Sequence, residues 1–238
     1  MADAREHDTL TQPPAADAPS SDRTLNDGTS SDGTSSATTT HGRPLPPPAE
    51  RAHPVATDLA LVSVFAAFIA ASALVPGIPT GVGVPITLQT FAVVLAGLVL
   101  GWRRGGLAAL LYLAVGLAGV PVFANGSGGL GVLAGASAGY LVAFPLGAAL
   151  AGLLANGARH ATGGARYLVL VASGLTASAL TIHPLGIAGI ALNANLSAQE
   201  AFAAGAVYFP GDTVKNLLAA AVALAVFAHY PDLLRRRR

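Results

Sequence analysis

ITLQTFAVVLAGLVLGWRRGGLAALLYLAVGLAGVPVFA, residues 86–124, sets two apolar runs on either side of a Trp-Arg-Arg triplet. Its only charges are Arg103 and Arg104. A helix crosses the hydrocarbon of a bilayer in about 20 residues, with a working range of roughly 17–25. Ile86–Gly101 reads as a short span stopped by the triplet, and Gly105–Ala124 as a second one leaving it.

The same pattern extends outward from this pair. Leu59–Val75 precedes it, and Val132–Ala155, Tyr167–Leu192 and Thr213–Tyr230 follow. The expectation is an all-α integral membrane protein, a bundle of six transmembrane helices. Composition agrees: 53% of the 238 residues are hydrophobic and 11% charged, against roughly 25% charged in soluble domains. Between Leu59 and Gln199 there is no acidic residue, too little charge to cover a water-soluble surface. Residues 1–54 are different material. TSSDGTSSATTT and RPLPPPAE are rich in Ser, Thr, Gly and Pro, so a disordered tail is expected before a membrane domain at 55–238. That tail has no apolar signal-peptide core.

Arginine sets the orientation. With six spans, Arg51, Arg103, Arg104, Arg159, Arg166 and Arg235–Arg238 all fall on one side. The opposite loops, 76–85, 125–131 and 193–212, hold no arginine or lysine. Positive residues stay in the cytoplasm, so both termini are expected on the cytoplasmic side of the cell membrane. The outer loops are rich in Gly and Pro and are expected to fold down over the bundle as a lid. Ordinary tight connections are the alternative.

YFPGDTVKN, residues 208–216, carries the only lysine, Lys215, three residues after Asp212. Pro210-Gly211 is expected to break the chain, with Asp212 capping the last helix. Residues i and i+3 share a helix face, and a lysine near a positive helix end is locally disfavoured. Two readings stand: a cap with a snorkelling lysine, or a ligand site. As a site, Lys215 suits a carboxylate, Asp212 accepts from N–H donors, and Asn125 both donates and accepts. An amphipathic anion with amide-like groups would fit. No cysteine is present, which excludes thiol chemistry. No His or Cys pairing has metal spacing, so no metal or cofactor is expected. No phosphate-binding loop occurs, and the acids and histidines form no catalytic cluster.

The run VPITLQTFAVVLAGLVLGWRRGGLAALLYLAVGLAGVPVFANGSGGLGVL, with GLAGVPVFA, the Gly128-Gly129 pair and FPGDTVKN in order, resembles the BioY family over about residues 57–230. These are biotin-specific substrate-binding (S) subunits of energy-coupling-factor (ECF) transporters. The resemblance implies six helices, extracellular biotin capture, and a complex with a transmembrane coupling subunit and two cytoplasmic ATPases. Some members look able to work without dedicated partners. One segment departs: GASAGYL, with Ala136-Ser137-Ala138, stands where Gly-Pro-Thr-Gly-Gly-Tyr is expected, though Tyr140 matches. For biotin, Lys215 is the expected carboxylate partner, and Asp212 and Asn125 suit the ureido ring. Tyr140 would pack on the bicyclic ring or simply on its neighbours. Thr87 and Gln89 either touch ligand or cap a helix. An S subunit for another small vitamin, or an intramembrane lipid-modifying enzyme, is the alternative.

His183, before Pro184, reads as a hydrogen-bonded helix residue rather than a proton carrier. Gly97/Gly101 and Gly135/Gly139 fit close helix packing in lipid. On the first helix, Ser63, Ala67 and Ala71 form one small-residue ridge, and Ala66 and Ala70 another. In this class of transporters such a surface docks the coupling subunit; internal packing is the alternative.

Overall fold

The computed structural model describes residues 54–81 and 83–235. The expected tail with Arg51, and the terminal Arg236–Arg238, lie outside the described residues. The described chain is helical, with only two isolated antiparallel bridges, Ile78 with Ile86 and Phe123 with Ser127.

The helices are α1 (Pro54–Leu74), α2 (Gln89–Leu100), α3 (Trp102–Leu117), α4 (Ala138–Leu154), α5 (Gly163–Asn193), α6 (Ala198–Ala206), α7 (Tyr208–His229) and α8 (Pro231–Arg235). Four of them, α1, α4 with its short 3-10 extension, α5 and α7, are long and apolar enough to cross a membrane. The 12-residue α2 is equally apolar but shorter.

The boundaries shift for identifiable reasons. Trp-Arg-Arg is no loop: it forms the first turn of α3, because Gly101 alone reverses the chain at φ 85°. Only glycine holds that conformation without strain. Arg104 then reaches back to Asp58 on α1 at 2.6 Å. α3 stops at Leu117, short of Ala124, where Gly119 turns at φ 107° and Pro121 follows. Two 3-10 turns, Ala124–Gly126 and Leu130–Ala134, fill the connection to α4. The stretch 193–212, expected as a loop, contains α6. Its capping box has the Ser197 hydroxyl accepting from the Glu200 amide while Glu200 accepts from the Ser197 amide, which satisfies two end-of-helix donors at once.

α7 corrects the largest expectation. It starts at Tyr208, so Pro210-Gly211 lies inside its first turn and Asp212 is an interior residue, not the cap. Proline is tolerated there because first-turn amides have no helical partner to lose. In α5 the proline acts differently. The helix widens into a π turn at Ser178–Ile182 just before His183-Pro184. Such a bulge accommodates the missing amide and the ring's clash with the preceding turn.

α2 is the central helix, buried at every position from Ala92 to Leu100. Close approach depends on glycine. A side chain at Gly97 would strike the Ala148 carbonyl of α4, one at Gly105 would strike the α2 backbone, and one at Gly139 would strike Leu185 and Gly189 of α5. Small residues at crossings are the usual route to tight packing between membrane helices. Gly101 and Gly135, their expected companions, serve instead in turns.

α1 is peripheral. Its two ridges separate: Ala66 is buried, Ala70 half-buried, and Ser63, Ala67 and Ala71 are exposed.

Candidate ligand-binding site

At the end of the bundle away from Arg104 lies a cavity of about 170 Å3. Its walls come from the 75–88 and 118–137 connections and from the N-terminal ends of α2, α4 and α7. Thr87, Gln89, Asn125, Tyr140, Asp212 and Lys215 all line it. Residues up to 128 positions apart meet here, so a single enclosure gathers every candidate read from the sequence.

The ionic centre is on α7. Asp212 is 3% exposed, and its Oδ1 accepts from Lys215 Nζ at 2.9 Å. Their i,i+3 spacing puts both on the cavity face. Thr90, in the first turn of α2, completes the group: its hydroxyl donates to Asp212 Oδ1 at 2.8 Å and accepts from Lys215 Nζ at 3.3 Å. A buried ion pair is sustained only when such hydrogen bonds satisfy its remaining donors and acceptors. An ammonium has three donors, so Lys215 can accept an incoming anion without leaving Asp212.

Gln89 is held firmly. Its Nε2 donates to Tyr112 Oη at 2.5 Å and its Oε1 accepts from the Thr87 hydroxyl at 2.7 Å. The Thr87 hydroxyl also accepts from the Gln89 backbone amide at 3.3 Å. Thr87 and Gln89 therefore brace the start of α2 while forming part of the wall.

Asn125 sits at the rim in a left-handed conformation, φ 59° and ψ 25°. Asparagine reaches that region more readily than other side-chain-bearing residues. Tyr140 packs edge-on against Tyr208 with ring centroids 5.5 Å apart, and its buried hydroxyl has no hydrogen-bond partner among the described residues. Gly186 makes room for the Tyr140 ring; any side chain there would overlap it. Ser137, in the departing GASAGYL segment, also lines the cavity.

Two contributors escaped the sequence reading. Thr90 lies within the LQT segment already singled out, but its link to Asp212 is long-range. Tyr208 fastens the 75–88 connection: its hydroxyl donates to the Val84 carbonyl at 2.6 Å and lies 3.1 Å from the Thr80 hydroxyl, which itself donates to Val84 at 2.7 Å. The bridge between Ile78 and Ile86 closes the same connection upon itself. His183 differs from its expectation. Its buried Nδ1 has no hydrogen-bond partner among the described residues, and its Nε2 faces Asp212 Oδ2 at 3.8 Å.

The comparisons with known proteins agree with this architecture. A curated biotin transporter BioY of Rhodobacter capsulatus is 40% identical over 192 residues, 76% of this chain and 98% of that protein. One of Rhizobium etli is 38% identical over 181 residues, 74% of this chain and 96% of its own length. The crystal structure of an S-component for biotin from an ECF-type ABC transporter superposes with a TM-score of 0.66 at 26% identity, covering 70% of this chain and 88% of that one. The BioY family profile matches residues 40–232, and on that span the chain belongs to the BioY family.

Proposed function

We propose that this chain captures biotin at the outer face of the cell membrane, as the substrate-binding subunit of an ECF-type transporter. One observation carries the reading. The single lysine is held by Asp212 and Thr90 inside a cavity of mixed polar and apolar lining, walled on one side by two uncharged connections. Convergent polar groups beside apolar walls in one concave cavity are a usual form of a small-ligand site.

In this reading Lys215 binds the valerate carboxylate, while Asp212 and Asn125 take the ureido N–H groups and carbonyl. Tyr140 packs along the bicyclic ring, and Thr87 and Gln89 shape its end. Connections 76–85 and 125–131 close over the ligand. Six helices, α1 to α5 and α7, span the bilayer, with α6 at the outer surface. Arg103, Arg104, Arg159 and Arg166 then face the cytoplasm with both termini. A transmembrane coupling subunit docks on the exposed Ala67–Ala71 ridge of α1, and two cytoplasmic ATPases drive release. Ala66, buried within the bundle, supports that surface from behind.

Calorimetric titration of the purified protein with biotin, riboflavin and thiamine tests the assignment. Saturable binding of biotin alone is expected. Tight binding of either other vitamin, with none of biotin, would sink it.

A further inference from the structure

Behind the cavity, on the far side of Asp212, lies a second space of about 270 Å3 between α5 and α7. Leu175, Ala179, Phe209 and Thr213 form its sides, and Ser178, His183, Asp212 and Asn216 its polar floor. Asp212 therefore separates two compartments. Its Oδ1 faces the front cavity and Lys215; its Oδ2 faces His183 at the back.

The two contacts are unequal. Lys215 is hydrogen-bonded to Asp212 at 2.9 Å, whereas His183 Nε2 stands off at 3.8 Å. The imidazole is near the carboxylate but beyond hydrogen-bond distance. The π turn at Ser178–Ile182 places it there, and the Phe209 ring holds it edge-on with centroids 4.5 Å apart. Asn216 is occupied already, donating to Ser178 Oγ at 3.1 Å and to the Asp212 carbonyl at 2.8 Å. His183 Nδ1 has no partner among the described residues. Ser178, His183, Asp212 and Asn216 give the rear space polar partners for a water that would carry a proton to the ring.

Charge balance gives this arrangement a consequence. With no ligand, Lys215 and Asp212 neutralise one another. An anionic ligand on Lys215 leaves two carboxylates sharing one cation in a site of low dielectric, where like charges repel strongly. Other ionisable groups near His183 offer little relief. Asp212 and Lys215 of α7 are the charged groups that act on it, and Tyr208 of α7 and Tyr140 of α4 lie near Asp212. α2 has none, and Glu200 of α6 is exposed and held by Ser197.

We propose that His183 takes up one proton from solvent when a carboxylate ligand binds Lys215, and that the imidazolium closes on Asp212 Oδ2. Anion and proton bind together, and His183 acts as a positioning residue through Asp212 without touching the ligand. The inference rests on the biotin-capture reading. Its sign follows from linkage. A complex that holds one more proton than the free protein forms best at acid pH and weakens as pH rises, by at most about tenfold per unit.

The test is calorimetry on the full chain with biotin, in buffers of different ionisation enthalpy, between mildly acid and alkaline pH. Wild type should take up a proton on binding biotin and none on binding its neutral methyl ester. His183→Asn should bind biotin with no proton uptake and a flat pH profile, matching wild type at alkaline pH and falling below it at acid pH. Uptake that persists in His183→Asn, or is the same for acid and ester, or is absent in wild type, overturns the proposal. Should His183→Asn fail to fold, the acid-against-ester comparison in wild type decides alone. No binding of biotin by wild type at any pH would instead overturn the capture reading beneath it.

Discussion

α1 and α7 both contribute to an apolar bundle, yet they use their small residues and their polar residues in opposite ways. α1 turns Ser63, Ala67 and Ala71 outward, and only 17% of its apolar window is buried. α7 turns Asp212 and Asn216 inward, at 3% and 2% exposure, with Lys215 beside them. Polar groups are costly to bury and survive only where they are paired. The helix carrying them must therefore sit against α2 and α5, which supply Thr90 and Ser178. The exposed face of α1, where Ala67 and Ala71 lie among Val64, Phe68 and Leu74, has no such need and can remain open. In the proposed function this separates two tasks, with ligand recognition on a helix locked in by its polar contacts and partner docking on one left exposed.

The strongest way to break this division is at Lys215. Lys215→Ala removes a charged hydrogen bond from a partly desolvated site, about 1.5–3 kcal/mol, so biotin affinity should fall roughly 10- to 150-fold. Titration of biotin and its methyl ester reads the effect: the acid should weaken sharply and the ester scarcely further. Asp212→Asn sharpens the assignment, weakening both ligands if Asp212 serves the ureido group and mainly the acid if it only orients Lys215. Full biotin affinity in Lys215→Ala would make the lysine a snorkelling residue and remove the site from α7.

A smaller effect is expected at Tyr208, where α7 holds the 75–88 connection. Tyr208→Phe loses a hydrogen bond to the Val84 carbonyl, about 0.5–1.5 kcal/mol, or roughly 2- to 12-fold. The loss should appear as faster dissociation, since the ring still packs on Tyr140. Spin labels in 76–85 and 125–131 should draw together on adding biotin, less completely in this variant. Unchanged label distances at saturating biotin in wild type would end the lid reading.

The smallest effect on binding belongs to α1. Ala67→Leu changes an exposed position and should alter biotin affinity by no more than about twofold. Co-purification with the coupling subunit should nevertheless drop, because the added side chain holds the partner helix away. Loss of biotin binding with an intact complex would reverse the two helices' roles.

Several of these features were legible in residues 86–124 and 208–216 alone. Apolar run length is a local property, and it marked the apolar helices to within a few residues at most ends. The polar candidates were legible because charge is so scarce: Asp212 and Lys215 stand out in a chain with one lysine. Tertiary contacts decided the rest. Asp212 looked like a cap because Pro210-Gly211 resembles a break, but α7 begins at Tyr208 and carries the proline in its tolerant first turn. Thr90 and Tyr208 looked ordinary because their partners lie 122 and 124 residues away. His183 looked satisfied because an isolated helix suggests a nearby partner, whereas the π turn aims it at Asp212 across a helix interface. Helix existence follows from the cost of exposing backbone to lipid, which every local window of sequence reports. Which buried polar groups meet depends on how the helices cross, and that is settled only when their small residues interlock.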